Sequence, residues 1–264
     1  MLIAQLTDLH LRPVGHPANR VVETNMLTER AFRAVMARPP LPDVVLLTGD
    51  LTDQGMAEEY AVLAELLDRT LPLPVLTIPG NHDNRAVMLA HLPGTRQEEG
   101  FVQYAVEHFP VRLVMLDTLV PGAAHGELCA GRLSWLDRTL AAVPDKPTLI
   151  AMHHPPFVCG IEHMDRLALQ DRAAFAEILA RHKQVRRIIC GHNHRCITAH
   201  VGDATASIAP SIAHQVELDL RADAPAAFVL EPPAYHLHQW SDEHGFVTHT
   251  AFVETYPGPF PFLV

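Results

Sequence analysis

Thiols are scarce in this chain, which has only four cysteines among 264 residues. They form no C-x-x-C pair, so the sequence indicates neither a disulfide framework nor a cysteine-ligated zinc site. We expect all four to be reduced thiols of a cytoplasmic protein. They are Cys129, Cys159, Cys190 and Cys196.

Positive charge is also in short supply, with 20 Lys and Arg against 30 Asp and Glu and a formal net charge of −10. This balance argues against a broad electrostatic surface for DNA, RNA or an anionic membrane. It is compatible with a small phosphate substrate, because bound divalent cations would be the largest charges at their own site.

Long apolar runs are missing as well. The longest uncharged stretches, such as 147–161, are too short and too rich in Pro and His for a membrane span. The N-terminus shows no signal-peptide pattern. Hydrophobic residues nevertheless make up 48% of the chain, enough for a sizeable core. We therefore expect a globular protein without a membrane partner, folded as one domain over 1–264.

Up to about residue 190, short apolar runs alternate with amphipathic stretches, a pattern typical of βαβ units. The predicted strands are 2–6, 44–47, 75–78, 111–116, 148–152 and 185–190. The predicted helices are 23–36, 58–71, 84–92, 134–143 and 171–182. The last of these helices starts with Asp171, whose carboxylate could cap its free N–H groups.

After His194 the helical periodicity ends, and short strand-like segments follow between Gly, Asp and Pro residues. These segments are 198–201, 204–208, 216–220, 228–230, 235–239 and 246–252. The β-rich part, about 196–264, favours an α/β fold: a four-layer α/β/β/α sandwich whose second sheet the C-terminal strands complete. The tail 256–262 is rich in Pro and aromatic residues, and we interpret it as a strap, an oligomer contact or a lip of the active site.

Seven residues with metal-binding side chains lie in short motifs, each after an apolar run. They are Asp8 and His10 in TDLH, Asp50 in TGD, Asn81 in PGNHD, His153 in MHHPP, and His192 and His194 in CGHNH. Each donor would lie at the end of a buried strand. Oxygen and imidazole donors without thiolates favour divalent Mn, Fe, Co or Zn. Together the seven residues could hold two adjacent metal ions.

Asp50 has the chemistry of a bridging ligand. It follows Gly49, whose missing side chain would let the backbone approach a metal pair, and its carboxylate could offer one oxygen to each ion. Single motifs are weak signals here, because Asn after Gly is mostly turn chemistry. An H-x-H pair also arises easily by chance in a chain with 18 His. The combination of motifs carries the prediction.

The motifs D-x-H, G-D-x-x-D, G-N-H-D, M-H-H-P-P and G-H-N-H occur in this order. Over about residues 1–195 they resemble the calcineurin-like metallophosphoesterase superfamily, and most of all its bacterial class III cyclic-nucleotide phosphodiesterases and glycerophosphodiesterases. The resemblance implies three ligands for each ion and one shared ligand. These are Asp8, His10 and His194 for one ion, Asn81, His153 and His192 for the other, and Asp50 for both.

The same resemblance selects His153 over His154 as the ligand and makes His82 the catalytic residue. The two prolines after His154 hold the chain extended, which leaves His154 for a supporting role outside the ligands. The imidazole of His82 could donate a hydrogen bond to a phosphoryl oxygen or protonate a leaving alkoxide.

Three further residues are candidates around the ligands. Asp83 is expected either to orient His82 or to cap the next helix. His214 either reaches the mouth of the site or packs inside a strand. Asp53 is expected to lie outside the ligand set.

The reaction implied by the resemblance is hydrolysis of a small phosphodiester, of cyclic-nucleotide or glycerophosphodiester type, by a hydroxide activated between two metal ions. The chain has no G-x-S-x-G or Walker-type motif, which weakens acyl-transfer and nucleotide-triphosphatase interpretations. The alternatives are a phosphomonoesterase of the same superfamily and a non-catalytic metal-binding scaffold. The resemblance also implies a homo-oligomer, a dimer or larger.

Overall fold

The computed structural model of the protein describes residues 1–262. The helices are α1 (Thr24–Met36), α2 (Ala57–Thr70), α3 (Arg85–His91), α4 (Ala130–Ala141), α5 (Glu162–Asp165) and α6 (Arg172–Arg181). The strands of the first part are β1 (Leu2–Leu6), β2 (Val44–Thr48), β3 (Val75–Ile78), β4 (Tyr104–Val106), β5 (Arg112–Leu116), β6 (Thr148–Met152) and β7 (Val185–Cys190). The later strands are β8 (Ile197–Val201), β9 (Ala204–Ile208), β10 (Gln215–Val216), β11 (Phe228–Val229), β12 (Ala234–Ser241) and β13 (Gly245–Phe252).

Two sheets pack face to face between layers of helices. The first sheet has the order β13-β12-β1-β2-β3, and the second has the order β4-β5-β6-β7-β9-β8. Helices α1 to α3 pack on the first sheet through buried side chains such as Phe32, Leu63 and Met88. Helices α4 and α6 pack on the second sheet through Leu136 and Phe175. The predicted α/β/β/α sandwich is confirmed.

The parallel strands bring the sequence motifs to one edge of the sandwich. Strands β1, β2 and β3 run parallel in the first sheet, and β5, β6 and β7 run parallel in the second. Strand β2 (VVLLT) is buried along its whole length, as expected for a strand covered on both faces. Since parallel strands end at a common edge, the loops that follow β1, β2, β3, β6 and β7 meet there.

Four of the strands after His194 extend both sheets, whereas the sequence analysis expected the C-terminal strands to complete one; β10 and β11 pair only with each other. The hairpin β8–β9 adds to β7, and the hairpin β12–β13 adds to β1. Without these hairpins, β1 and β7 would each be an edge strand with unpaired N–H and C=O groups. Residues 263 and 264, the end of the expected C-terminal part, lie outside the described residues.

Several elements differ from the predicted ones. The short β4 and α5 were not predicted, α4 begins at Ala130 rather than at 134, and the strand predicted at 216–220 is reduced to Gln215–Val216. Such short elements depend on tertiary pairing more than on periodicity. The Asp171 side chain does not cap α6, because its Oδ2 accepts a hydrogen bond from the Leu128 N–H at 2.9 Å.

All four cysteine side chains are free thiols. Cys190 is buried at the end of β7, whereas Cys196 is exposed just before β8. Within residues 1–262, no helix combines the length and the apolar character needed to cross a bilayer.

Candidate metal centre

The backbone is strained where the predicted ligands lie. Five of the seven have positive φ angles: Asp8 (54°), His10 (47°), Asp50 (48°), His192 (73°) and His194 (48°). The left-handed region costs a non-glycine residue roughly 1–2 kcal/mol, so it persists only where the surrounding structure imposes it. This concentration of strain at one edge of the sandwich marks the edge as a functional site.

Asp8, His10 and His194 form the first ligand group. His194 Nε2 lies 3.3 Å from Asp8 Oδ1 and 3.2 Å from His10 Nε2. The outer nitrogens are already engaged, since His194 Nδ1 donates to the His214 carbonyl at 2.8 Å and His10 Nδ1 lies 3.3 Å from Asp53 Oδ1. In neutral imidazoles with these partners, both Nε2 atoms carry lone pairs that converge. Two converging lone pairs repel each other unless a proton or a metal cation lies between them, so this pair can bind a cation.

Asn81, His153 and His192 form the second ligand group. His153 Nδ1 donates to the Thr48 carbonyl at 2.9 Å, while its buried Nε2 has no hydrogen-bond partner among the described residues. His192 Nδ1 lies 3.0 Å from Asn81 Oδ1, and the rings of His192 and His153 are 5.2 Å apart. Gly49 makes room for this group, because a Cβ at that position would lie 2.4 Å from His153 Nδ1.

Asp50 joins the two groups through a single oxygen. Its Oδ2 lies 3.7 Å from His10 Nε2 and 3.3 Å from His153 Nε2. Its Oδ1 accepts a hydrogen bond from the main-chain N–H of His82 at 2.9 Å. In this structure Asp50 therefore reaches both groups through Oδ2, while Oδ1 also binds the main chain of the loop after β3. Contacts through Asp50 bring all seven predicted ligands into one cluster.

The cluster attracts positive charge. Burial raises the pKa of Asp8, but the His194 imidazole outweighs it and brings the pKa down to about 2. Burial lowers the pKa of His153, but its ion pair with Asp50 raises the pKa to about 9. Buried carboxylates need a nearby cation. With two buried carboxylates, Asp8 and Asp50, facing the inner nitrogens of His194 and His153, the residues present fit divalent metal ions.

His82 lies at the exposed side of the cluster. Its ring centroid is 4.7 Å from that of His10, and its Nδ1 donates to the Asp53 carbonyl at 2.7 Å. This hydrogen bond leaves Nε2 free for a ligand. Burial lowers the pKa of His82, but Asp50 and the carbonyl and carboxylate of Asp53 together more than compensate, so the pKa lies above its usual value.

Asp83 has a role that the sequence analysis did not foresee. Its carboxylate accepts hydrogen bonds from the N–H groups of Leu51, Thr52 and Gly80 and from the Tyr60 hydroxyl. It therefore ties the loop after β2 to the loop after β3. The cap of α3 comes instead from Asn84, whose side-chain oxygen accepts hydrogen bonds from the N–H groups of Ala86 and Val87. Both expectations for Asp83, orienting His82 and capping the helix, are replaced by this tie.

His154 lies behind the ligands and is fully buried. Its Nδ1 forms a 2.8 Å hydrogen bond with Thr118 Oγ1, and its ring is 4.6 Å from that of His192. Gly126 packs directly against it, since a Cβ there would lie 2.4 Å from the His154 ring. His154 is therefore placed to support His192 from the interior.

His214 contacts the first ligand group through both its main chain and its ring. Its carbonyl accepts the hydrogen bond from His194, and its ring lies 4.7 Å from the His194 ring. Its Nε2 is 3.3 Å from Asn19 Nδ2 in the loop after β1. The sequence left open whether His214 reaches the mouth of the site or packs inside a strand. In the structure its ring packs against the ligands, and its carbonyl orients one of them, His194.

Sequence reasoning missed the groups that hold the ligands in place. Asn193, between the two His of the last motif, donates through Nδ2 to Cys159 Sγ at 3.0 Å. Ser211 Oγ donates to the Asp8 carbonyl at 2.8 Å. The Thr48 and His214 carbonyls orient ligand imidazoles, but a main-chain carbonyl has no sequence signature. Asn193 lies within a motif that the sequence shows, but its partner Cys159 is 34 positions away, so their contact could not be predicted.

Residues 1–196 match the family model of the calcineurin-like phosphoesterases. The chain is 38% identical to a probable glycerophosphodiester phosphodiesterase GpdQ from Arcobacter nitrofigilis, over 99% of this chain and 97% of that protein. It is 30% identical to the 3',5'-cyclic adenosine monophosphate phosphodiesterase CpdA of Escherichia coli K12, over 73% of this chain and 69% of that protein. A dimetal phosphatase from Danio rerio shares the fold, with a TM-score of 0.62 at 15% identity over 96% of this chain and 99% of that one. The chain therefore belongs to the calcineurin-like phosphoesterase family.

Proposed function

We propose that this protein is a metal-dependent phosphodiesterase that hydrolyses small phosphodiesters of cyclic-nucleotide or glycerophosphodiester type. The relatives named for these two activities support the substrate class. The observation that carries the proposal is the position of Asp50 Oδ2, within 3.7 Å of His10 and 3.3 Å of His153. A carboxylate oxygen shared between two groups of carboxylate, amide and imidazole donors is the arrangement that a two-metal hydrolase requires.

In this proposal Asp8, His10 and His194 would hold one divalent ion, Asn81, His153 and His192 would hold another, and Asp50 would serve both. The donor set of carboxylate, amide and imidazole suits Mn, Fe, Co or Zn. When bound, such ions supply Lewis-acid chemistry: they neutralise phosphoryl oxygens and make water acidic enough to act as a nucleophile near neutral pH.

The residues of the chain orient the substrate and deliver a proton. The Asp53 carbonyl fixes His82 through Nδ1, so that Nε2 can hold a proton for the leaving alcohol. That proton passes to the ester oxygen as its bond to phosphorus breaks. The hydrogen bond from the His82 main-chain N–H to Asp50 holds the His82 backbone, and with it the imidazole, close to the ligands. His154 and His214 hold the ligand imidazoles in their orientations.

The proposal also covers the setting of the reaction. The described chain acts as one domain, in a reducing cytoplasm where its free thiols stay reduced.

The protein also forms a homo-oligomer in this proposal. The contact is made by the C-terminal part, where Tyr256, Phe260 and Phe262 are exposed. Sedimentation velocity should show a dimer or larger species that Phe260→Ser weakens. A wild-type monomer at every concentration would contradict this point.

The activity is tested with protein loaded with Mn or Co and assayed on four substrates. These are bis(p-nitrophenyl) phosphate, cyclic AMP, a glycerophosphodiester and the monoester p-nitrophenyl phosphate. We expect the diesters to be hydrolysed faster than the monoester, and a chelator to abolish turnover. A loaded protein that is inactive on every diester would overturn the proposal, and a strong monoester preference would favour a phosphomonoesterase instead.

A further inference from the structure

A separate polar cavity of about 540 Å³ lies at the opposite end of the strands from the ligands. It opens between the start of β7 and the turn that joins β12 to β13, and Arg187 and Trp240 are among its lining residues. The main-chain N–H of Trp240 donates to the carbonyl of Met1, just before β1, whereas Asp8 follows the other end of that strand. Arg187 lies near the start of β7, whereas His192 follows its end, and five extended residues span roughly 16 Å. The cavity is therefore distinct from the metal centre.

Arg187 is a buried charge without an anionic partner. It is only 7% exposed, and among residues 1–262 no carboxylate lies within ion-pair distance of its guanidinium. Within the described part of the chain, its guanidinium makes one hydrogen bond, from Nη2 to the Phe246 carbonyl at 3.3 Å, and its buried Nε has no partner. Burial lowers the pKa of this guanidinium. Because an unpaired buried charge is unfavourable, an anion in the cavity would stabilise it.

Two aromatic rings form a second part of the cavity wall. The rings of Trp240 and Phe246 meet edge to face with centroids 4.9 Å apart, and the Arg187 Cζ lies 5.6 Å from the Phe246 centroid. Trp240 Nε1 donates to Asp242 Oδ1 at 3.1 Å, which fixes the indole. A planar ring bound here could stack on or pack edge to face against these aromatic side chains.

The charges that face the cavity sum to a positive value. Arg186 and Arg187 line it together with one carboxylate, Asp242, which is already engaged by the Trp240 indole. His244, also in the wall, lies 3.7 Å from the Glu243 carboxylate. In a protein with a formal net charge of −10, a pair of neighbouring arginines at one cavity is a local exception. Such a place concentrates small anions.

We propose that this cavity binds a small ligand that carries both an anionic group and a planar ring, the chemistry of a nucleoside monophosphate. Arg187 and Arg186 bind the phosphate, and Trp240 and Phe246 contact the base. The cavity volume falls within the range of small-molecule sites. This proposal does not depend on the hydrolytic activity, because none of these residues belongs to the metal centre.

The test uses Trp240 as a local probe in the metal-loaded protein. The chain has two tryptophans, so Trp135→Phe leaves Trp240 as the only indole. Its fluorescence should change saturably on titration with 5'-AMP. Ribose 5-phosphate, which lacks the ring, and adenosine, which lacks the anion, should each bind at least about tenfold more weakly.

Substitution of the arginines should separate this site from the metal centre. Arg187→Met keeps the length of the side chain and removes its charge, and it should weaken AMP binding at least about tenfold without changing diester hydrolysis. Arg186→Ala, at an exposed position, gives a second variant that does not challenge folding. Equilibrium dialysis should count one AMP fewer on Arg187→Met than on the parent protein.

Three results would overturn the proposal. The first is no saturable change of Trp240 fluorescence up to about 1 mM AMP in folded protein. The second is equal affinity for AMP and ribose 5-phosphate. The third is AMP binding that neither arginine substitution weakens, which would place the nucleotide at the metal centre.

Discussion

The two ligand groups are built from the same kind of strand end, yet they differ in charge. The first group contains the carboxylate of Asp8, and the carboxylate of Asp53 lies behind its His10. The second group has the neutral amide of Asn81 in the corresponding place, and a carbonyl lies behind its His153. Since the affinity for a divalent cation rises with the charge of its ligands, the first group should hold its ion more tightly.

Asp50 is the one residue common to both groups, so its substitution should have the largest effect. Asp50→Asn keeps the shape of the side chain but removes the shared negative charge. We expect kcat/KM for bis(p-nitrophenyl) phosphate to fall by about 10³ or more, since metal-ion charge stabilisation is worth several kcal/mol. Metal analysis after dialysis should show weaker binding of both ions.

Asp53→Asn is the matched control for Asp50→Asn. It makes the same chemical change beside His10, but Asp53 has no hydrogen bond to the second group. We expect a smaller loss, about 10- to 100-fold, through the orientation of His10; the change also removes the carboxylate that lies 3.3 Å from Arg12 Nη1. An Asp50→Asn protein that keeps one ion at wild-type affinity would show that the two groups are independent of Asp50.

His82 belongs to neither ligand group, and its removal should separate turnover from metal binding. His82→Ala should lower kcat by about 10² to 10⁴, the usual contribution of a positioned proton donor. Both metal ions should remain, because the main-chain N–H that binds Asp50 is retained. Metal loss as large as that of a ligand variant would contradict the division between ligands and proton donor.

Asn81→Ala tests the inequality of the two groups directly. We expect the second group to lose its ion first, so that dialysed protein retains fewer ions and activity returns on addition of excess metal. Asn84→Ala, three positions further along, is the control. It removes the α3 cap at about 0.5–2 kcal/mol of stability and should leave metal content unchanged. Equal metal affinity of wild-type and Asn81→Ala protein would contradict the comparison.

Cys159 should show the smallest effect, because it acts through Asn193 on the turn that carries one ligand of each group. Burial raises the pKa of the Cys159 thiol to about 11, so it stays protonated at neutral pH. Cys159→Ala should reduce the affinity for both ions by about tenfold, whereas Cys159→Ser keeps an acceptor for the Asn193 amide and should restore much of it. Loss of one ion alone would show that the turn does not couple the groups.

The strands that carry the ligands were predictable because their sequences are mostly short runs of β-branched and other apolar residues. Strands β1, β3, β6 and β7 have the predicted bounds, since buried apolar residues dominate most of their length. The three-residue β4 and the four-residue α5 carry no such signal. They exist because neighbouring elements supply their partners, as Met115 of β5 does for Tyr104.

The site was predictable to the extent that its chemistry lies in side chains. The seven predicted ligands all reach one cluster, but the single-oxygen position of Asp50 depends on a main-chain N–H that any residue at 82 other than proline would supply. The tie made by Asp83 likewise depends on where other loops pass. The buried Arg187 drew no attention in the sequence, because burial of an arginine becomes visible only when both sheets are in place.

The hydrogen bonds from the His192 N–H to the carboxylate of Asp8 join positions 184 residues apart. Closing a loop of that length carries a large entropic cost, which must be met by the packing of both sheets. The binding site therefore does not exist in a partly folded chain that has formed only one sheet. In contrast to zinc fingers, where ligands close in sequence gather around the ion and folding follows, metal uptake here should come as the last step of folding and should report that the sandwich is complete.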